Sequence, residues 1–266
     1  MDVRSIDLSS TTGTTGLHGA SSITKLLAFA CVLAAVVVQQ NLFVVLACAL
    51  LLIATVIGFR LPWRAIFALA AYPGLFALVF AFAAAPDPIT GALFVTRAVA
   101  AALAAVTLVF VTPYPQIFAP LQSVLPEVVG DALLMTYRSL FLLADKFERL
   151  RRAVRLRSGL SHGHPLRAAK ATAGAMGSLV LYAFDLSQRE YDLMRLRGYQ
   201  GRMRTTLPPA RSRTFDAALL AGAGAVLIIA TVFRVSGAAL TPYSWLLPAA
   251  AGTAVLLTIA WRLIRT

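Results

Sequence analysis

The chain has 266 residues, 59% of them hydrophobic and 13% charged, with a mean hydropathy of +0.79. That balance excludes an ordinary soluble globular domain and places the chain in a bilayer. Its formal charge of +13 is concentrated: residues 113–214 hold 16 of the 24 Lys and Arg and 7 of the 11 Asp and Glu, a net +9 in one block.

In chain order, residues 1–22 form a polar tail whose stretch at 9–15 reads as disordered. Four apolar runs follow, at about 23–38, 42–59, 63–85 and 91–111, and two more stand at 215–233 and 243–261. A span needs about 20 predominantly apolar residues, so these predict six transmembrane helices, the first two of them short. Lys25 and the apolar run behind it resemble a signal peptide, but Gln39 and Gln40 stand where small residues would mark cleavage. Cys31 and Cys48 both lie in apolar runs and read as small hydrophobes rather than as a disulfide or zinc site. The expected organisation is a tail at 1–22, four spans within 23–112, a cytoplasmic region at 113–214 and a final pair of spans within 215–266.

Orientation follows from the Lys/Arg asymmetry of short connections. The connections at 39–41, 86–90 and 236–242 contain no Lys or Arg. Those on the other side carry Arg4 and Lys25, Arg60 and Arg64, and Arg262 and Arg265. Both termini of this multi-pass protein are therefore expected in the cytoplasm. Arg97 is the basic residue well inside a predicted span. An ionisable group at that depth either serves a function in the bundle interior or snorkels to the nearer interface, and the sequence leaves both open.

In the 113–214 block the apolar period becomes amphipathic. Pro113, Pro115 and Pro120 end the fourth span. A long helix is predicted over 131–157, with Leu133, Tyr137, Leu140, Ala144, Phe147 and Val154 on one face and charge on another. Ser158 and Gly159 stop it, and a second helix is predicted over 166–197. In its first half Ala169, Ala173 and Gly177 recur at four-residue spacing, which lets two helix backbones approach closely and marks a crossing.

These two helices end alike. Arg155-Leu156-Arg157-Ser158 and Arg195-Leu196-Arg197-Gly198 align at an offset of 40 residues. Each presents guanidinium groups where a helix terminates. Arginine's planar fork pairs bidentately with carboxylates and is weakly hydrated, which suits docking into an acidic, partly apolar groove. Two such tips suit a membrane protein that transmits force to two equivalent sites on a soluble partner. The plainer alternative is that the arginines satisfy helix C-termini and anionic headgroups.

At these residues the sequence resembles the transmembrane T component of energy-coupling factor (ECF) ABC transporters, most closely the cobalt or nickel branch. The similarity covers nearly the whole chain: Thr24-Lys25-Leu26 keeps part of the motif that opens the family's first span, though its Asp-Pro is missing. Arg97, Tyr137-Arg138, Asp145 and Glu148 fall where the family carries its Arg and acidic positions. Leu156-Arg157-Ser158 and Leu196-Arg197-Gly198 match its two short signatures, with leucine in place of the leading alanine, and Gly198-Tyr199-Gln200-Gly201-Arg202 continues as in the metal branch. The resemblance implies an all-α membrane protein with two long amphipathic coupling helices. It further implies two partner ATP-binding-cassette ATPases, docked at Arg157 and Arg197, and a small membrane subunit that captures the substrate.

The chain itself is expected to be neither an enzyme nor a cofactor carrier. It has no Gly-rich phosphate loop and no nucleophile set, so ATP and magnesium would be bound by the partner chains. Its histidines are His18, His162 and His164. The last two, without a nearby Cys or acidic ligand, read as a solvated linker rather than a metal site. The competing reading is a membrane-anchored basic module that holds anionic lipid or nucleic acid. It predicts that every arginine in the block counts equally, whereas the coupling reading singles out Arg157 and Arg197 and expects no nucleic acid.

Overall fold

A computed structural model of the chain describes residues 16–122, 125–156, 165–199, 201, 213–236 and 243–264. The tail at 9–15, Arg157, Ser158, His162, His164, Arg202 and Arg204 lie outside the described residues. The helices in order are α1 Ser22–Val38, α2 Leu42–Gly58, α3 Trp63–Ala84, α4 Pro88–Val111, α5 Tyr114–Leu121, α6 Glu127–Leu156, α7 Pro165–Leu196, α8 Arg213–Val235 and α9 Leu246–Ile264. Among the described residues there is no strand. The chain divides into two compact units, 1–117 with 207–266, and 118–206.

In the first unit, local chemistry sets most helix boundaries. Asn41 caps α2, its Oδ1 accepting from the Phe43 N–H at 3.0 Å. Gly58 ends α2, and Arg60 follows in the left-handed region at φ +53°. There the Arg60 N–H donates to Ile57 O at 3.2 Å and the Leu61 N–H to Val56 O at 3.1 Å, a Schellman closure with arginine where glycine is usual. Pro88 lies in the first turn of α4, where its missing donor costs nothing, and α4 stops at Val111 ahead of Pro113. The proline-rich stretch beyond it forms the short helix α5, which the sequence reading did not anticipate.

Helix α4 packs on α1, α2 and α3, while α1 also packs on α8 and α2 on α9. Ile66, Leu103, Val36, Val45 and Val56 are fully buried between them, and Cys48 joins the cluster around Val36, Val45, Ala49 and Ala100. At Gly74 a Cβ would lie 2.7 Å from Val99 Cγ2, so glycine lets α3 sit against α4. Much apolar surface faces outward, including Phe82 (87% exposed) and Tyr72. Helices α3, α4 and α8 are long and apolar enough to cross a membrane, and Ser22–Val38, Leu42–Gly58 and Leu246–Ala260 are shorter apolar helices.

In the second unit α6 and α7 pack antiparallel. Ser139 Oγ donates to Glu190 Oε2 at 3.2 Å, Arg138 pairs with Glu190 at 3.6 Å, and the Lys146 ammonium sits 4.8 Å from the Tyr182 ring centroid. The first helix starts one turn earlier than its charge pattern predicts, just past Pro126, whose carbonyl accepts from Val129 and Gly130.

Candidate functional site

The candidate docking residues stand at the ends of α6 and α7. Leu196 is the last helical residue of α7, and Arg197 follows as its cap. The Gly198 N–H donates to Arg195 O at 3.0 Å and the Tyr199 N–H to Met194 O at 3.0 Å, with Gly198 at φ +77°. This is a Schellman closure that uses the glycine its geometry favours. Beyond it the Tyr199 hydroxyl donates to Asp131 Oδ2 at 2.6 Å. Asp131 is buried, so the end of α7 is tied to the first turns of α6. Outside this knot Leu196 is 84% exposed, Arg197 is exposed, and the Arg195 guanidinium lies 6.0 Å from the Tyr191 ring centroid.

The end of α6 shows the same exposure. Leu156 is 86% exposed and Arg155 is exposed beside it. Because the helices run antiparallel, the two ends point opposite ways. Asp131, held by Tyr199, and Leu156 are separated by roughly 37 Å of helix at about 1.5 Å per residue. Ala169, Ala173 and Gly177 are exposed along α7, and a Cβ at Gly177 would meet nothing within 4 Å. The contacts between α6 and α7 named above lie closer to the end of α7 than that stripe.

Arg97 sits on α4 and donates through Nη2 to the backbone carbonyl of Gln39, at the turn between α1 and α2. Its buried Nε has no hydrogen-bond partner among the described residues. Gln39 is the centre of this node at 1% exposure. Its Nε2 donates to Ala230 O on α8 at 2.9 Å, and its Oε1 accepts from the Gln40 and Asn41 N–H groups at 2.9 and 3.3 Å. At the opposite end of α1 the Lys25 ammonium donates to His18 O at 3.0 Å and to Val111 O at 3.3 Å, closing the end of α4. Beside it the Ser21 N–H donates to Asp216 Oδ1 at 3.1 Å, and Ser22 Oγ bonds Gln116 Oε1 at 3.1 Å.

Sequence reasoning missed Gln39, read only as part of a connection, and the Tyr199–Asp131 tie, which joins residues 68 apart. A polar residue directly after a helix in a membrane chain was the available signal for the first, since its groups must find protein partners. No local signal pointed to the second. Among the described residues no group of three or more His, Cys, Asp or Glu side chains comes together.

No curated protein matches the chain. The family model described as CbiQ, cobalt transport protein, matches residues 13–207, a region that takes in α1 to α7 and both Arg-Leu-Arg sequences. The chain belongs to that family, the T components of energy-coupling factor transporters.

Proposed function

We propose that this chain is the energy-coupling subunit of an ECF importer for a transition-metal ion, cobalt or nickel. It spans the membrane six times with both termini in the cytoplasm, and it carries motion from two ATPases to a separate substrate-binding membrane subunit. Helices α6 and α7 are the coupling helices. Arg157 and Arg197 dock one ATPase each, with Arg155, Leu156, Ser158, Arg195, Leu196 and Gly198 shaping the two tips. Ala169, Ala173 and Gly177, exposed along α7, form a small-residue face open to a close helix crossing. ATP is bound and hydrolysed in the partner chains.

One observation carries this reading: two matched, exposed helix ends stand at opposite extremes of one antiparallel pair, roughly 37 Å apart along α6. Two separate, matched sites suit two copies of a motor, and a lipid-binding basic patch has no need of them. Charge placement supports the topology, with the exception of Arg234 in the last turn of α8, where the helix dipole favours a cation.

The test is positional. Arg157→Glu combined with Arg197→Glu is expected to abolish metal uptake in cells expressing all subunits and to release the ATPases on purification, while the chain remains in the membrane. Arg202→Glu combined with Arg204→Glu is the control of equal charge and is expected to retain both. Equal damage from the two pairs would reject the coupling reading in favour of a charge-driven surface.

A further inference from the structure

Within the first unit, α1, α2, α4 and α8, with Thr258 of α9, line an open pocket of about 780 Å³, within the range of pockets that bury drug-sized ligands. Its wall is apolar over most of its length, through Val32, Cys48, Leu51, Leu108, Leu219 and Val226. From Lys25 to Val32, from Val111 back to Ala104 and from Leu219 to Val226 the lining runs seven residues, or about 10 Å of rise on each helix. That is most of one leaflet of a hydrocarbon core about 30 Å thick.

The polar groups of the wall are unevenly used. Thr55 Oγ1 donates to Leu52 O and Thr258 Oγ1 to Val255 O, so both are satisfied within their own helices. Thr112 is 0% exposed, and its Oγ1 has no partner among the described residues; neither does Thr107 Oγ1. Thr112 follows Val111, whose carbonyl accepts from Lys25, and Thr107 lies about one turn earlier on α4. An ammonium has three donors, and the Lys25 bonds to His18 O and Val111 O use two. The Lys25 end of the pocket thus offers a cation with a donor to spare, and most of the remaining lining is hydrocarbon.

We propose that this pocket is a lipid site, which takes one acyl chain of an anionic phospholipid, with the phosphate held at the Lys25 ammonium. Along its apolar length the pocket offers water few hydrogen-bond partners, so water is a poor occupant there. A bilayer surrounds the unit with acyl chains, which transfer into such a space without desolvation and restore the dispersion contacts its walls otherwise lack. The hydrocarbon wall does not choose between lipids; the cation does, and it selects a negative headgroup. The orientation proposed above puts Lys25 on the cytoplasmic side, so the donor leaflet is the inner one. The proposal does not depend on whether the chain docks ATPases.

The test is native mass spectrometry of the full chain in detergent, titrated with phosphatidylglycerol or with phosphatidylcholine of the same acyl chains. The expected result is one retained phospholipid, with phosphatidylglycerol preferred about fivefold, the factor that about 1 kcal/mol from one cation supplies. Lys25→Gln is expected to keep the adduct and lose the preference. Gly222 lines the pocket and has open space at its Cβ, so Gly222→Phe is expected to fill it and lose the adduct. Should either variant misfold, the wild-type chain still decides the matter through phosphatidylglycerol carrying a diazirine on its acyl chain. Labelled peptides from α4 and α8 at Leu108 or Val226 support the site, and labelling confined to outward residues such as Phe82 overturns it. Adducts of equal stoichiometry in wild type and Gly222→Phe, or a retained fatty acid in place of a phospholipid, overturn it as well.

Discussion

The two units use polar residues in opposite ways. In the membrane unit the polar side chains that join helices are few, largely buried and spent mostly on backbone. Lys25 closes the end of α4, Gln39 bridges α1 to α8, and Arg97 reaches back to Gln39. In the α6–α7 pair charges are many and mostly exposed, and ion pairs join neighbours on one helix at Glu148 with Arg152 and at Asp185 with Arg189. Exposed pairs of that kind contribute a few tenths of a kcal/mol each. The contrast teaches where each unit keeps its order. Removal of one buried polar group should loosen the whole membrane unit, whereas the helix pair depends on a few ties at one end, and its other polar surface is left for partners.

The largest effect is expected at the Gln39 node. Gln39→Leu removes the donor to Ala230 O and the acceptor for two turn amides, inside a medium that offers no water in exchange. A loss of about 2–4 kcal/mol is expected, since each buried group left unsatisfied costs about 1–3 kcal/mol. It would be read as a drop in apparent Tm of the detergent-solubilised chain, and an unchanged Tm would show that the node is not needed. Next comes Gly74→Ala, whose Cβ would meet Val99 Cγ2 at 2.7 Å. Because a β-branched neighbour cannot swing away, overpacking of about 1–3 kcal/mol is expected. Val99→Ala in the same chain should restore most of the lost Tm, and a failure of that rescue would remove the close α3–α4 approach as the cause.

Both effects bear on what was legible beforehand. Apolar runs, prolines and the Lys/Arg asymmetry carry the helical organisation, because a bilayer forces long apolar segments and helical backbone pairing. The break at residues 39–41 was legible for the same reason, through a cluster of polar side chains between two apolar runs. The function of Gln39 was not, because its partner Ala230 lies 191 residues away and donates nothing distinctive to the sequence. Gly74 next to Pro73 read as one more small residue in a span, since the tight contact is made by Val99 on another helix. In the helix pair the repeated Arg-Leu-Arg ends were plain from the 40-residue offset, yet the tie that fixes one of them needed Tyr199 and Asp131 brought together by folding.

That tie sets the third prediction. Tyr199→Phe keeps the ring and removes the donor to a buried carboxylate, so the pair is expected to lose about 1–2 kcal/mol locally. Faster amide hydrogen exchange in the last turn of α7, with the membrane helices unaffected, is the expected signature. An exchange pattern identical to wild type would show that Tyr199 merely rests against α6. Under the proposed coupling role the same variant should weaken ATPase association less than Arg197→Glu does, since it loosens the tip without removing the charge.

The smallest effect separates the two units at a feature they share. Both α2 and α7 end in Schellman closures, but the left-handed position is Arg60 in one and Gly198 in the other. A left-handed non-glycine residue costs about 1–2 kcal/mol, while glycine gives up about 0.5–1 kcal/mol of backbone entropy on ordering. Arg60→Gly should therefore raise the apparent Tm slightly, by a net amount of about 0.5–1 kcal/mol. Gly198→Ala should lower the stability of the α7 end by a similar amount, visible in exchange at Arg197 and Tyr199 rather than in the Tm. The membrane unit tolerates the strain because Leu61, directly after Arg60, is buried at 5% exposure in the core around Val56 and Ile66, which holds the turn in place. Gly198 has no packed core behind it, only the hydrogen bond from Tyr199 to Asp131, and open space surrounds its Cβ position. At an exposed tip held by one hydrogen bond rather than by a packed core, little offsets the strain of a left-handed side chain, and that is the physical reason for the glycine after Arg197. Should Arg60→Gly lower the Tm instead, the arginine would be contributing more through its placement beside the membrane than its backbone costs.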